Sequence, residues 1–229
     1  MIPPTSSPLP RGQRQGEGGE KRAPVDFRLC LVTDRTQTGG RPLAEVVEEC
    51  LAAGLRAVQL REKDLPDAEF LALAHSLREV TRRVGAGLFI NGRLDAALAV
   101  GANGLQRGHD APPIPVLRSR APGLTIGASV HGVDEVRAAE RDGADFIIFG
   151  SVYDTLSKRP YGPPQGVAAL AKVVEAVRIP VFAIGGITPE RVPAVREAGA
   201  HGVAVISAIL GAERPGEATK QLIEALGSS

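Results

Sequence analysis

The residue best placed to transfer protons follows a short hydrophobic run of the sequence. His131 ends the run TIGASVH, two residues after Ser129. An imidazole titrates near neutral pH, so it can take a proton from carbon and return it elsewhere. We therefore predict that His131 is a catalytic acid and base and that Ser129, beside it, binds the substrate. The alternative is a histidine that only hydrogen-bonds a loop.

Charged, amide and hydroxyl side chains lie at or just after the ends of three other hydrophobic runs. These candidate substrate-binding residues are Gln59, Arg61, Lys63, Asn91, Thr155, Ser157 and Lys158. Lysine and arginine hold carboxylate or phosphate oxygens through charge-assisted hydrogen bonds. The pattern indicates an anionic small molecule, unless these charges are solvated ends of strands.

A phosphate site is indicated near the end of the chain. One run ends in IGGI and the next in VISAI, which makes Gly185, Gly186, Ile206 and Ser207 the candidates. In α/β barrels the loops after the last two strands commonly bind phosphate through backbone N–H groups. A tight turn made by the two glycines is the alternative interpretation.

Eight hydrophobic runs alternate with amphipathic segments, as strands buried on both faces require. The predicted strands are 27–33, 57–62, 87–91, 104–107, 125–131, 146–152, 179–186 and 202–208. The helical patterns between them are followed by glycine, which suits the left-handed residue after a helix. Eight repeated units predict a single-domain (β/α)8 TIM barrel, with an open doubly wound sheet as the weaker alternative. In a barrel, all the candidates above would gather at the carboxyl ends of the strands.

The composition limits the protein's organisation and partners. The 229 residues suit one domain, and we predict a disordered extension over 1–25 followed by a barrel over 26–229. A net charge of +1 with mixed signs argues against nucleic acid or an anionic membrane as partner. Cys30 and Cys50 lack metal-binding spacing and are expected to be reduced core residues. The sequence contains neither a transmembrane stretch nor a signal peptide, so we expect a cytoplasmic protein.

Six motifs at the predicted strand ends resemble the thiamin phosphate synthase superfamily. They are VQLREKD, FIN with GRLDAALAVGANG, IGASVH, GADFIIFGSVYDTLSK, IPVFAIGGIT and GVAVISAI. The resemblance covers nearly everything from residue 27 to residue 210. It implies a barrel that binds a thiazole phosphate, with no nucleic acid or membrane partner, and commonly a homo-oligomer.

The superfamily has two main branches, and two positions separate them here. The synthase joins hydroxymethylpyrimidine pyrophosphate to thiazole phosphate with Mg²⁺, and its pattern has aspartates where this sequence has Gly92 and Ala111. Mg²⁺ prefers carboxylate oxygens, so their loss argues against a metal site unless Asp110 or Asp34 replaces them. The TenI-type tautomerase pattern instead has Asn-Gly-Arg, a glutamine in the fourth strand and Ser-Val-His, as this sequence does.

We therefore predict a metal-independent thiazole tautomerase without a cofactor, in which His131 is the acid and base. The synthase, with Mg²⁺ as its cofactor, is the alternative, because Gln59, Arg61, Lys63, Asn91, Thr155 and Lys158 match its substrate-binding positions. A third hypothesis is a regulatory protein that binds a thiamin precursor without turnover, since fold alone does not establish catalysis.

Overall fold

The computed structural model describes residues 25–108, 111–155 and 162–227. The strands are β1 Leu29–Val32, β2 Ala57–Leu60, β3 Gly87–Asn91, β4 Gly104–Arg107, β5 Thr125–Val130, β6 Phe146–Gly150, β7 Val181–Ile184 and β8 Gly202–Val205. They form a closed parallel barrel in sequence order, in which β8 pairs with β1. The predicted single-domain TIM barrel is confirmed.

Helices surround this barrel throughout the described part of the chain. They are α1 Leu43–Ala52, α2 Asp67–Arg83, α3 Leu94–Ala99, α4 Ile114–Arg120, α5 Val133–Arg141, α6 Gly166–Glu175, α7 Val192–Glu197, α8 Ser207–Leu210 and α9 Pro215–Leu226, with 3₁₀ turns at Arg35–Gln37 and Pro189–Arg191. Gly143 after α5 and Gly199 after α7 have φ values of 95° and 86°. Both therefore take the left-handed conformation that the sequence predicted for the end of a helix.

The strands are hydrophobic on both faces because both faces are buried. Leu31 packs outward against the helices, whereas its neighbours Cys30 and Val32 point into the barrel. This alternation follows from the two-residue period of a strand. It lets the position of each polar residue at a strand end be assigned to the inside or the outside.

Aromatic rings fill the amino-terminal end of the barrel interior, which we call the floor. The rings belong to Phe27, Phe89, Phe146 and Phe182. Five pairs among them have centroids 5.0–5.9 Å apart. Gly104 and Gly127 make room for them, since a Cβ at Gly104 would lie 2.6 Å from the Phe89 ring and one at Gly127 would collide with Phe146. The floor is a packed core, so function belongs at the other end.

Several boundaries differ from the prediction. The third and fourth strands have the predicted bounds, whereas the other six are shorter than predicted. Ser207 begins α8 instead of lying in a strand. The predicted disordered segment 1–25 lies almost wholly outside the described residues.

The two cysteines are free and buried, as predicted. Burial raises the pKa of the Cys30 thiol to about 12 and that of Cys50 to about 11. No helix in the described part of the chain is long and apolar enough to cross a membrane.

Candidate active site

Four polar side chains line the barrel interior above the floor, at the carboxyl ends of β2–β5. They are Gln59, Asn91, Gln106 and Ser129, which we call the polar layer. Each lies two residues after a floor position, so the strand period turns it into the barrel. Asn91 is paired with Gln106 across β3 and β4, whereas Gln59 is paired with Phe89 and Ser129 with Ile148, so the layer is staggered from strand to strand.

Hydrogen bonds join the polar layer in two pairs. Gln59 Nε2 donates to Asn91 Oδ1 at 3.5 Å, and Gln106 Nε2 donates to Ser129 Oγ at 3.0 Å. The side chains of Gln59 and Gln106 are almost fully buried, whereas Asn91 and Ser129 are half-buried. The glutamines therefore support the two residues that a ligand can reach.

The loop after β2 carries the predicted cations Arg61 and Lys63. Arg61 is half-buried on the inward-facing register of β2, and its backbone N–H donates to Thr33 Oγ1 at 2.9 Å. Lys63 is exposed. The structure thus places Arg61 at the rim of the polar layer and leaves Lys63 in solvent beside it.

An ion-pair network fixes this loop to the end of β1. Glu62 is 3% exposed and accepts hydrogen bonds from the backbone N–H of Arg35 at 3.1 and 3.2 Å. The Arg35 guanidinium pairs with Glu62 at 3.3 Å and with both oxygens of Asp64 at 2.7 Å. The buried carboxylate is therefore neutralised, and the residues on either side of it are held in place.

Asp34 is occupied as a helix cap. Its carboxylate accepts from the backbone N–H and hydroxyl of Thr36 at 3.2 and 2.6 Å and from Gln37 Nε2 at 2.7 Å. Burial by itself would raise the pKa of Asp34, but these hydrogen bonds and the charge of Arg61 hold it below its usual value. The suggestion that Asp34 replaces a metal ligand finds no support in this geometry.

His131 lies at the end of β5, where its ring is exposed to solvent. Its Nδ1 is 2.8 Å from the backbone oxygen of Gly150, and its backbone N–H donates to Glu135 at 2.8 Å. A carbonyl oxygen only accepts, so this contact assigns the proton to Nδ1 and leaves Nε2 unprotonated in the neutral ring. The ring thus ties the end of β5 to the end of β6.

The predicted phosphate residues lie on the opposite side of the mouth. Gly185 and Gly186 have φ values of 99° and 63°. A Cβ at Gly185 would collide with the Ser151 hydroxyl, and one at Gly186 would lie 2.6 Å from the Asp154 carbonyl oxygen. Ile206 is half-buried, and Ser207 is exposed at the start of α8.

The glycines are held by the segment that follows β6. Tyr153 N donates to Gly185 O at 3.0 Å, and Val152 N donates to Ile184 O at 2.9 Å. Arg191 lies over the Tyr153 ring at 4.6 Å. Only residues without a side chain allow the two segments to approach so closely.

Only one of the remaining candidates lies within the described residues. Thr155 is half-buried after β6, whereas Ser157 and Lys158 lie outside the described residues. The sequence prediction used Gln106 only to separate the two branches and did not include it among the site residues, although it lies two residues after a glycine that faces the floor. It also missed Arg35, whose role depends on a contact with a residue 27 positions away.

The described residues at the mouth do not fit a magnesium ion. Gly92 has open space around its Cα, and neither it nor Ala111 supplies an oxygen ligand from a side chain. Within the described ranges, no three histidine, cysteine, aspartate or glutamate residues form a group that could hold a metal. Asp110 is outside those ranges. Mg²⁺ takes oxygen ligands at near-octahedral positions, and this part of the chain does not bring three ligating side chains together for it.

Comparisons with known proteins show which family the chain belongs to. The family model described as Thiamine monophosphate synthase matches residues 29–209. A protein of Geobacter sulfurreducens, provisionally named a thiamine-phosphate synthase, is 50% identical over 205 residues, which cover 89% of this chain and 96% of that protein. The thiamine-phosphate synthase of Moorella thermoacetica is 46% identical over 197 residues, with 86% and 94% covered. The structure of a thiamine phosphate pyrophosphorylase from Pyrococcus furiosus matches with a TM-score of 0.80 at 41% identity, covering 87% of this chain and 95% of that one.

Proposed function

Because the chain belongs to the thiamine monophosphate synthase family, we propose that it is a thiamine-phosphate synthase, a transferase that joins hydroxymethylpyrimidine pyrophosphate to thiazole phosphate. The observation that carries the proposal is the 46–50% identity to relatives of that name over nearly their whole length. The polar layer and the glycine pair supply binding groups for two different substrates. Both substrates are small phosphorylated molecules.

The predicted tautomerase is wrong, and the relatives named above overturn it. That prediction gave decisive weight to Gly92 and Ala111, two positions that bear on metal ligands. The other predicted residues of the mouth would bind substrate whether a metal ion or cationic side chains stabilise the pyrophosphate. The acid and base role predicted for His131 belonged to the isomerisation, and the coupling reaction does not need it.

The reaction breaks one bond and forms one bond. The C–O bond between the pyrimidine methylene carbon and the pyrophosphate breaks, and its electron pair leaves with the pyrophosphate. The thiazole nitrogen supplies the electron pair for the new C–N bond. No proton is transferred in this step, so the site has to position two substrates and stabilise separating charge.

We assign the pyrimidine and its pyrophosphate to the side of the mouth that carries the polar layer. An amide both donates and accepts, so Gln59 and Asn91 match an aminopyrimidine edge that presents both kinds of group. Arg61 lies beside this pair, with Lys63 next to it in solvent. Their charges would stabilise the departing pyrophosphate.

We assign the thiazole phosphate to the opposite side of the mouth. Gly185 and Gly186 follow β7, Ser207 begins α8 after β8, and β7 and β8 are paired neighbours in the barrel. Backbone donors bind phosphate without a net charge of their own. This leaves the arginine and lysine side for the more highly charged pyrophosphate.

Within the described ranges, the carboxylates at the mouth do not form a group that could hold a metal. The cations of the chain are assigned the charge stabilisation instead. A homo-oligomer remains a prediction, which sedimentation velocity would test.

A two-substrate assay on the purified full-length chain tests the proposal. We expect thiamin phosphate and pyrophosphate to form in equal amounts from the two substrates, measured with Mg²⁺ and with EDTA. The control reaction offers the unaromatised carboxythiazole phosphate alone. Isomerisation without coupling would overturn the proposal, as would saturable binding of both substrates with no product.

A further inference from the structure

We propose that Gln106 is a positioning residue that makes the Ser129 hydroxyl a hydrogen-bond donor toward the substrate pyrophosphate. The inference rests on the proposed function for the identity of the substrate. It concerns a residue that touches no ligand, because Gln106 is 1% exposed beneath the mouth. Its effect would pass through Ser129, which is half-buried and accessible.

The direction of the hydrogen bond carries the argument. Gln106 Nε2 lies 3.0 Å from Ser129 Oγ. An amide –NH2 group only donates, so the serine oxygen must accept. The serine proton is then not used in this contact, and the hydroxyl can donate it to another group. A pyrophosphate oxygen, which only accepts, is the chemical complement of such a donor.

The surroundings of the glutamine favour this orientation of the amide. Gln106 Oε1 is buried without a hydrogen-bond partner among the described residues. It lies against Gly127, because a Cβ added there would collide with both this oxygen and the Phe146 ring. Turning the amide over would place two unpaired donors in the same apolar position instead of one unpaired acceptor. Each unpaired buried group is unfavourable, so the observed orientation is the better one.

The unpaired oxygen indicates that the side chain is kept for a reason other than stability. A leucine or methionine at this position would fill similar space and bury no unsatisfied acceptor. Gln59 differs in this respect, since none of its side-chain polar atoms is buried without a partner among the described residues. In the described part of the layer, the bond to Ser129 is the hydrogen bond that the Gln106 side chain makes.

Two variants test the direction of the hydrogen bond. Gln106→Met removes the donor, and we expect kcat/KM for the coupling reaction to fall about fivefold, as for one neutral hydrogen bond. Gln106→Glu keeps the shape but accepts the serine proton when ionised, so we expect a fall of about 30-fold near pH 8. The loss in the Glu variant should shrink as the pH is lowered, because a protonated carboxyl group donates to Ser129 again.

A double-mutant cycle separates positioning from a general structural role. In a Ser129→Ala background, Gln106→Glu should change kcat/KM by less than about twofold, since the hydroxyl that it acts on is gone. Losses that multiply in the double variant would overturn the proposal, as would full activity of Gln106→Glu at pH 8. Thermal unfolding of each variant, measured in parallel, shows that folded protein is compared.

The affinity for inorganic pyrophosphate separates this inference from the proposed function. Calorimetric titration should show weaker binding by Gln106→Glu than by the unaltered chain, with no further loss when Ser129→Ala is added. If the unaltered chain makes no thiamin phosphate, the proposed function fails and this binding cycle still tests Gln106. If the chain is active but pyrophosphate affinity is the same in all variants, the inference about Gln106 fails alone.

Discussion

The floor and the mouth of the barrel are built from the same inward-facing positions but have opposite chemistry. On β3, Phe89 belongs to the floor and Asn91 to the polar layer, two residues later. On β4, Gly104 and Gln106 have the same relation. One two-residue period of the strand thus separates apolar packing from hydrogen bonding.

This difference predicts that a substitution should affect mainly stability at the floor and mainly activity at the mouth. A floor residue contributes apolar burial and no contact with substrate, so its loss should lower stability and leave the chemistry intact. A side chain of the mouth should do the reverse. The glycines at the end of β7 are the test of this division, because they belong to the mouth but are packed as closely as the floor.

The largest effect is expected at the floor. Phe182 is fully buried, and its ring contacts those of Phe27 and Phe146. Phe182→Ala should lower the free energy of unfolding by about 3–5 kcal/mol, measured by urea denaturation. At a temperature where the variant is still folded, kcat/KM should stay within about twofold. A large fall in kcat/KM of the folded variant would show that the floor shapes the mouth directly.

Gly185→Ala should break the division, because it affects stability and activity together. Its Cβ would collide with Ser151, and the backbone has a φ of 99°. We expect a loss of about 2 kcal/mol in stability and about 100-fold in kcat/KM, since a displaced β6–β7 segment misplaces the thiazole phosphate. Gly101→Ala is the matched control. Gly101 follows α3, has a φ of 59° and has open space where a Cβ would lie. This variant should lose about 1 kcal/mol of stability and no activity.

Arg61 should show the opposite profile from the floor. Its guanidinium is half-buried at the rim, and only its backbone N–H bonds to Thr33. Arg61→Gln should lower kcat/KM about 30-fold by removing a charged hydrogen bond to pyrophosphate. The free energy of unfolding should change by less than about 0.5 kcal/mol. Arg83→Gln removes a charge from an exposed ion pair on α2 and should leave kcat/KM unchanged. Equal losses in both variants would mean that net charge, and not position, matters.

The sequence was sufficient for the architecture because buried parallel strands are hydrophobic on both faces. The ends of strands were harder to place. Residues such as Ser207 follow a strand without a break in hydrophobicity, and only the backbone shows that a helix begins there. Gln106 was missed because its inward direction depends on the register of β4, and Arg35 because its partner Glu62 is distant in sequence.

Function was harder to predict than fold for a related reason. Gly92 and Ala111 suggested the wrong branch because the loss of two metal ligands was given more weight than the match of the substrate-binding positions. The substrate positions Gln59, Arg61 and Asn91 were present in the same sequence and favoured the synthase. For predicting a reaction, side chains that match substrate-binding positions should count for more than the absence of two carboxylates.

The smallest expected effect is a pH dependence that arises at the floor. His201 is half-buried below the rings, with its Nε2 3.1 Å from the Phe27 carbonyl oxygen and its ring centroid 5.3 Å from that of Phe182. Burial lowers the pKa of His201, and the charges of Arg28 and Arg196 lower it further, although the Phe27 bond opposes them.

A lowered pKa in the folded chain makes its stability depend on pH in one direction. The unfolded chain takes up this proton near pH 6.5, its ordinary value, while the folded chain resists it to lower pH. The unfolded state therefore binds more protons below about pH 6.5, and the free energy of unfolding should fall as the pH decreases through that range. His201→Gln removes the group and should make this decline shallower, as measured by urea denaturation from pH 8 to pH 5. The values at pH 8 give the separate loss of ring packing. If the free energy of unfolding of the variant declines with pH as steeply as that of the unaltered chain, other groups cause the decline. The stability of the floor would then not depend on pH.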